Sequence, residues 1–262
     1  YTLGVGGGIV WDSDARREYE EIQTKIAFLR DGAFAFSLLE TLRLEADDTF
    51  TYLDEHLGRL EHSARYWQFR CDRGKAVHEL LEYRQRVPYR PAVVRLTMDE
   101  KGEISLTHRP VTPLPGRARV LISATAVDSQ NRFLFHKTTN RALYDRARAA
   151  GWRNGYFDTL FTNEFGHVTE GCVTNLFYRR GNRWHTPPLA DGLLEGVWRR
   201  RFIQETTAGE RPVSVPELLA ADEVVIGNSV IGRVRVDAIE VEASAGLGLH
   251  IQAHQADQPA GQ

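Results

Sequence analysis

Apolar residues recur along this chain with two periods, 3.6 and 2, and the switches between them mark its elements. Leu53, Leu57, Leu60, Ala64 and Trp67 share one helical face and predict a helix over 53–69. Tyr19, Ile22, Ile26 and Leu29 predict another over 15–30, with Asp12-Ser13-Asp14 as its N-cap. A short strand over 1–11, broken at Gly6-Gly7-Gly8, precedes that cap. Further helices are expected over 140–150 and 192–205, the second led by two glycines. Strands are expected over 34–44, 92–97, 104–107, 118–125, 156–163, 167–178, 182–185, 223–228 and 234–239. The Lys101-Gly102 turn joins the second and third of these as a hairpin, and Glu164-Phe-Gly166 turns the fifth into the sixth.

Interleaved strands and helices of this kind imply an α+β fold. One strand and one helix cannot bury a core, so residues 1–31 read as the end of a different domain. Residues 32–112 form a first α+β unit, Val111-Thr-Pro-Leu-Pro-Gly116 a stiff connector, and 117–245 a second unit. Residues 246–262, rich in Ala, Gly, Gln and His, read as a loose tail.

At 262 residues the chain can hold one large or two modest domains. A net charge of −2 gives no reason to expect nucleic acid as a partner. No apolar run has membrane length. Cys71 and Cys172 are too few and too distant for a disulfide framework or a zinc site, and a reducing, cytoplasmic setting is expected. The chain starts at Tyr1 and its only methionine is Met98, which suggests a piece of something longer.

Charge composition changes the picture at one point. The chain has four lysines among its 33 basic residues. Lys25, Lys75 and Lys101 sit in charged or turn contexts, whereas Lys137 follows the apolar run Phe133-Leu-Phe. Arginine cannot replace lysine in Schiff-base chemistry, because its guanidinium stays protonated. Local sequence leaves two readings of Lys137 open: a strand-end charge in water, or a required amine.

A pyridoxal phosphate site needs such an amine, an acid facing the pyridine nitrogen, and an arginine with free N–H groups for the phosphate. Glu170 is a candidate acid, turned inward at Gly171, or else an edge-strand rim residue. The N–H groups of Val197 and Trp198 could cradle an anion, or simply begin an ordinary helix. Arg59, one turn after His56, could bind phosphate or form a surface ion pair. Asn228-Ser229 ends an apolar strand, where a hydroxyl suits a phosphate contact and a plain turn suits equally.

The order of these segments is more specific than any one of them. Phe36-Ser-Leu-Leu-Glu-Thr-Leu-Arg43, His56-Leu-Gly-Arg-Leu60, His136-Lys-Thr-Thr-Asn-Arg141, Thr169-Glu-Gly-Cys-Val-Thr-Asn175, Thr186-Pro-Pro-Leu189, Gly192-Leu-Leu-Glu-Gly-Val-Trp-Arg199 and Asn228-Ser229 resemble the fold-type IV pyridoxal phosphate enzymes. That family includes branched-chain and D-amino-acid aminotransferases and aminodeoxychorismate lyases. The resemblance covers about residues 32–240. It implies a smaller N-terminal α/β sandwich and a larger C-terminal pseudo-barrel, with the cofactor between them. It also implies Lys137 as Schiff-base lysine, Glu170 as pyridine partner, and Arg59, Val197, Trp198 and Ser229 around the phosphate. Thr41 and Asn228 become substrate-side groups, Thr41 with a catalytic part, and a homodimer is expected. Trp198 departs from the family, which often has Thr or Ser there, so a side-chain phosphate contact is lost. Leu39 is a second departure, standing where aminotransferases tend to carry an aromatic residue.

The head segment resembles the C-terminal end of chorismate-using synthases in Leu3-Gly-Val-Gly-Gly-Gly-Ile-Val-Trp-Asp-Ser-Asp14, Glu18-Tyr-Glu-Glu21 and Lys25. There, residues matching Glu18 and Glu21 serve a magnesium site and Lys25 serves chorismate; here they read as a remnant, with no metal expected in this segment. Together the resemblances imply a natural fusion with a synthase, and conversion of 4-amino-4-deoxychorismate to 4-aminobenzoate and pyruvate for folate synthesis. Transamination by the same fold, and an inactive scaffold, are the alternatives. A substrate with two carboxylates also needs a cation, for which Arg95 and Arg109 are candidates.

Overall fold

The computed structural model describes residues 36–114 and 118–243. The chain divides into two compact units, Tyr1–Phe36 and Ser37–Gln262. The strand and helix expected in the head, with Glu18, Glu21 and Lys25, lie outside the described residues, as do connector residues 115–117 and the tail.

Strands β1 (Leu38–Leu44), β2 (Ala92–Met98) and β3 (Ile104–Pro110) form an antiparallel sheet in that order. Side chains alternate between its faces. Leu38, Leu42, Val94, Leu96 and Met98 are buried on one face, against which helices α1 (Leu53–Trp67) and α2 (Arg73–Arg84) pack. Periodicity did not reveal α2, because only Ala76 and Leu80 are buried along it; Asp72 caps it by accepting from the Lys75 N–H. On the other face Thr41, Arg95 and Thr107 are direct cross-strand neighbours.

The remaining strands are β4 (Ala118–Val127), β5 (Asp158–Asn163), β6 (Val168–Gly171), β7 (Asn175–Arg180), β8 (Arg183–Thr186), β9 (Gly209–Glu210), β10 (Glu223–Asn228) and β11 (Gly232–Val241). They form one sheet in the order β6-β5-β4-β11-β10-β7-β8-β9. In this order β6 is at an edge and β7 five strands away, yet only three residues join them in the chain. The sheet must therefore curl to bring them together, and Val120, Ile122, Leu160, Leu176, Val224 and Ile226 fill its interior. Helices α3 (Ala142–Arg153), α4 (Val197–Thr206) and α5 (Val215–Leu219) complete this part. The result is the expected α+β architecture, with a smaller three-stranded sheet followed by a larger, curled one.

Two expectations need correction. The single strand over 167–178 is two strands, because buried Asp158 organises the residues between them: it accepts from the Cys172 and Val173 N–H groups and the Thr174 hydroxyl. A Cβ on Gly171 would stand 2.5 Å from Asp158 Oδ2, so only glycine fits. The helix expected from Gly192 starts at Val197, since the chain first turns at Gly192 (φ +86°) and the Asn175 side chain grips the Leu194 carbonyl.

Candidate active site

The polar face of the three-stranded sheet and the curled sheet enclose a cavity of about 950 Å³. Lys137, Glu170, Arg59 and Thr41 line it. Val197, Trp198, Asn228 and Ser229 line it too, so the fold brings together all eight of these residues, from β1, α1 and the second unit.

Lys137 is not on a strand end in open water. It lies between the 3-10 turn Arg132–Phe135 and α3, and its carbonyl accepts from the Leu39 N–H at 2.9 Å. Thr138 bridges to Leu38, so β1 pins the lysine segment against the cavity. The amine has no hydrogen-bond partner among the described residues. Burial, then the charges of Arg59 and Arg141, bring its pKa down to about 7, although Glu40 and Glu170 pull the other way.

Glu170 is the penultimate residue of β6 and is buried. Asn175 Nδ2 donates to its Oε2 at 3.2 Å, and the Tyr144 hydroxyl approaches Oε1 at 3.4 Å. Burial pushes its pKa up to about 8, against the Leu194 N–H and the Lys137 charge.

Arg59 owes its place to a carboxylate behind the cavity wall. Glu40 accepts from its Nε at 2.8 Å and its Nη2 at 2.6 Å. His56 Nδ1 lies 2.7 Å from the same carboxylate. Burial opposes ionisation of Glu40, but Arg59 and His56 overcome it and hold its pKa down at about 2. Arg59 Nη1 also donates to the Glu195 carbonyl at 3.3 Å, just before α4 begins.

Helix α4 begins after Gly196, which offers no side-chain cap. The first N–H groups of a helix have no acceptor within it, so those of Val197 and Trp198 are open to an anion. A Cβ on Gly196 would collide with Asn175 Oδ1. The Trp198 ring packs edge-on against Phe177 at 5.4 Å and tilted against Phe202 at 5.0 Å, and so serves the apolar cluster. The Ser229 hydroxyl is unpartnered among the described residues. Asn228 is largely committed to its own turn: Nδ2 donates to the Val173 carbonyl, and Oδ1 accepts from the N–H groups of Val230 and Ile231.

Sequence reasoning gave no role to Glu40, Asn175 or Tyr144. Glu40 had a readable signal, an acid at the period-2 position between Leu38 and Leu42 on the apolar face of β1. Asn175 and Tyr144 had none, since their meaning depends on where Glu170 and Leu194 come to lie. No group of three or more His, Cys, Asp or Glu among the described residues could hold a metal ion. No helix among them is long and apolar enough to cross a membrane.

A free amine, a buried acid, an anchored arginine and an uncapped helix start match the donor set that pyridoxal phosphate requires. Fold and site define a fold-type IV enzyme that uses this cofactor. Residues 37–239 match the family described as amino-transferase class IV, and the chain belongs to that family. Residues 1–31 match the model described as chorismate binding enzyme. An aminodeoxychorismate lyase of Bacillus subtilis is 28% identical over 238 residues, covering 79% of this chain and 78% of its own length. A crystal structure of 4-amino-4-deoxychorismate lyase from Pseudomonas aeruginosa superposes with a TM-score of 0.70 at 25% identity, over 86% of this chain and 87% of that one. A Mesorhizobium loti structure described as a candidate amino-acid aminotransferase gives 0.72 at 31% identity, over 79% of this chain and 100% of that one.

Proposed function

We propose that this chain converts 4-amino-4-deoxychorismate to 4-aminobenzoate and pyruvate. The observation that carries the reading is the cavity around Lys137 in a chain whose residues 1–31 match a chorismate-binding model. A chain ending a chorismate-using domain is suited to consume the product of that domain. On this reading residues 1–31 are the end of a synthase domain, 32–112 and 117–245 are the two halves of the lyase, and 246–262 a tail. The protein works in the cytoplasm as a homodimer and supplies folate synthesis.

When bound, pyridoxal phosphate supplies an electron sink for the electrons released at the amine-bearing carbon. Lys137 holds the cofactor before substrate arrives. Its amine, free at neutral pH because burial lowers its pKa, then takes the proton from C4 of the substrate. Glu170 holds a proton on the pyridine nitrogen. Arg59, the N–H groups of Val197 and Trp198, and the Ser229 hydroxyl bind the phosphate. The C3–O bond breaks, its electrons leave with the enolpyruvate oxygen, and a proton delivered to the methylene carbon of that enolate completes pyruvate. Thr41, on the cavity face of β1, is placed to assist that departure, and Asn228 borders the substrate. The ring becomes aromatic, which drives the step.

The Mesorhizobium loti relative, described as a candidate amino-acid aminotransferase, supports a second reading, transamination; the amino acid on that reading is a branched-chain or D-amino acid. Holoenzyme given aminodeoxychorismate is expected to release 4-aminobenzoate and pyruvate in equal amounts. Amination of keto acids without that release would favour the second reading.

A further inference from the structure

Three arginines face the cavity without an ion pair to an acid among the described residues. Arg95 stands on β2 beside Thr41, and Arg109 near the end of β3 on the same sheet face. Arg148 comes from the opposite wall, on α3. Arg95 and Arg148 make no hydrogen bond or ion pair among the described residues. Arg109 donates only to the Pro110 carbonyl and the Thr112 hydroxyl, both neutral. By contrast, the other cavity arginines have anionic partners: Arg59 pairs with Glu40, and Arg141 with Asp145.

Helix geometry sets the depth of Arg148. Arg141, Tyr144, Arg148 and Trp152 all line the cavity and recur at helical spacing along one face. Tyr144 is at the inner end, its hydroxyl toward Glu170, and Trp152 at the outer end, 59% exposed. Arg148 lies between them, one turn outward from the cofactor acid. It is near enough to Arg109 that, after burial, its charge is the main cause lowering the Arg109 pKa. Two guanidinium groups that line one cavity from different elements and feel each other's charge repel less when an anion sits between them. The buried Asp158 feels the Arg148 charge, but its oxygens face the 172–174 segment and the Thr159 N–H, and it makes no ion pair with Arg148.

We infer that Arg109 and Arg148 clamp one carboxylate of a dicarboxylate substrate at the outer end of the cavity, leaving Arg95, beside Thr41, for the other. This rests on the lyase reading for the substrate's identity, but its chemistry requires only a dianion. Guanidinium is suited to the task, since its planar fork meets a carboxylate with two parallel bonds.

The test uses chorismate, a dicarboxylate that lacks the reacting amine, and beside it 4-aminobenzoate, which keeps only the ring carboxylate. Both are titrated into holoenzyme and followed by calorimetry. Arg148→Leu is expected to weaken chorismate binding about 10-fold or more, as loss of a charge-assisted contact does. Cofactor content should stay within about twofold in the same variant, whereas 4-aminobenzoate, which keeps the ring carboxylate para to its amine, should weaken in step with chorismate. Arg148→Lys should fall between, keeping charge but not the fork, and it covers the case in which the leucine variant misfolds. The double variant with Arg109→Leu should lose less than the two single losses combined, because both residues hold one group. Arg146→Leu, two positions away on an exposed part of α3, should change nothing. Unchanged chorismate affinity in the Arg148 variants, or no chorismate binding by the parent enzyme, would overturn the clamp. Arginine-dependent chorismate binding without any 4-aminobenzoate formation would keep the clamp and overturn the lyase reading.

Discussion

Glu40 grips Arg59 with both carboxylate oxygens, at 2.8 and 2.6 Å, from a position almost wholly withdrawn from solvent. The pair is a brace, fixing the guanidinium that borders the cavity beside α4. Replacing Glu40 by Gln keeps the shape and removes the charge. The cofactor dissociation constant is expected to rise about 10- to 100-fold, the equivalent of one charge-assisted contact. Titration of apoenzyme with pyridoxal phosphate measures this, and an unchanged constant would mean that Arg59 needs no brace.

Lys137 couples cofactor capture to pH. Its amine has a pKa of about 7 in the folded chain against an ordinary 10.5. The free amine is the nucleophile, so capture by apoenzyme should accelerate as pH rises through about 7 and level off above it. Stability has a matching sign. Between those two values the unfolded chain holds a proton that the folded chain lacks, so folding gains stability as pH rises. Below about pH 7 the folded state must carry a buried charge, and apo Lys137→Met should melt several degrees above the parent there. The gap should close toward pH 10, and a gap independent of pH would contradict the assignment.

Glu170 is held by Asn175 and approached by Tyr144 in a buried setting. Glu170→Gln should still bind the cofactor through Lys137 and the phosphate contacts. Turnover should nevertheless fall about 10²- to 10⁴-fold, as it does when a positioned proton partner is removed. Loss of binding without a change in turnover per bound cofactor would assign Glu170 to structure alone.

Gly196 allows α4 to approach Asn175 closely. In Gly196→Ala the new methyl would push Asn175 from Glu170 or the helix start from the cavity, at a cost of about 1–3 kcal/mol in folding stability. Cofactor affinity should fall with it, whereas Gly181→Ala, in an open turn, should lose stability alone.

Much of this was readable in the chain because the fold keeps local signals intact. The apolar stripe Leu57, Leu60 and Ala64 does form the buried face of α1, and the alternation around Leu38–Leu44 does split β1 between core and cavity. What stayed hidden depends on distant groups meeting. Asp158 divides the 167–178 stretch only because β5 carries it under that loop, through contacts spanning 14 and 16 residues with no periodic trace. Arg148 looks like any other charge on an amphipathic helix until β3 brings Arg109 opposite it. Trp198, an oddity in sequence, makes sense once Phe177 and Phe202 surround its ring.

The central claim is that Lys137, one of four lysines, is the amine that carries the cofactor. Borohydride reduction of holoenzyme followed by peptide mass spectrometry tests it most directly. The account predicts one pyridoxyl group per chain, on the peptide containing Lys137, and none on Lys137→Ala protein. A label on Lys25, Lys75 or Lys101, or no label on protein saturated with pyridoxal phosphate, would contradict it.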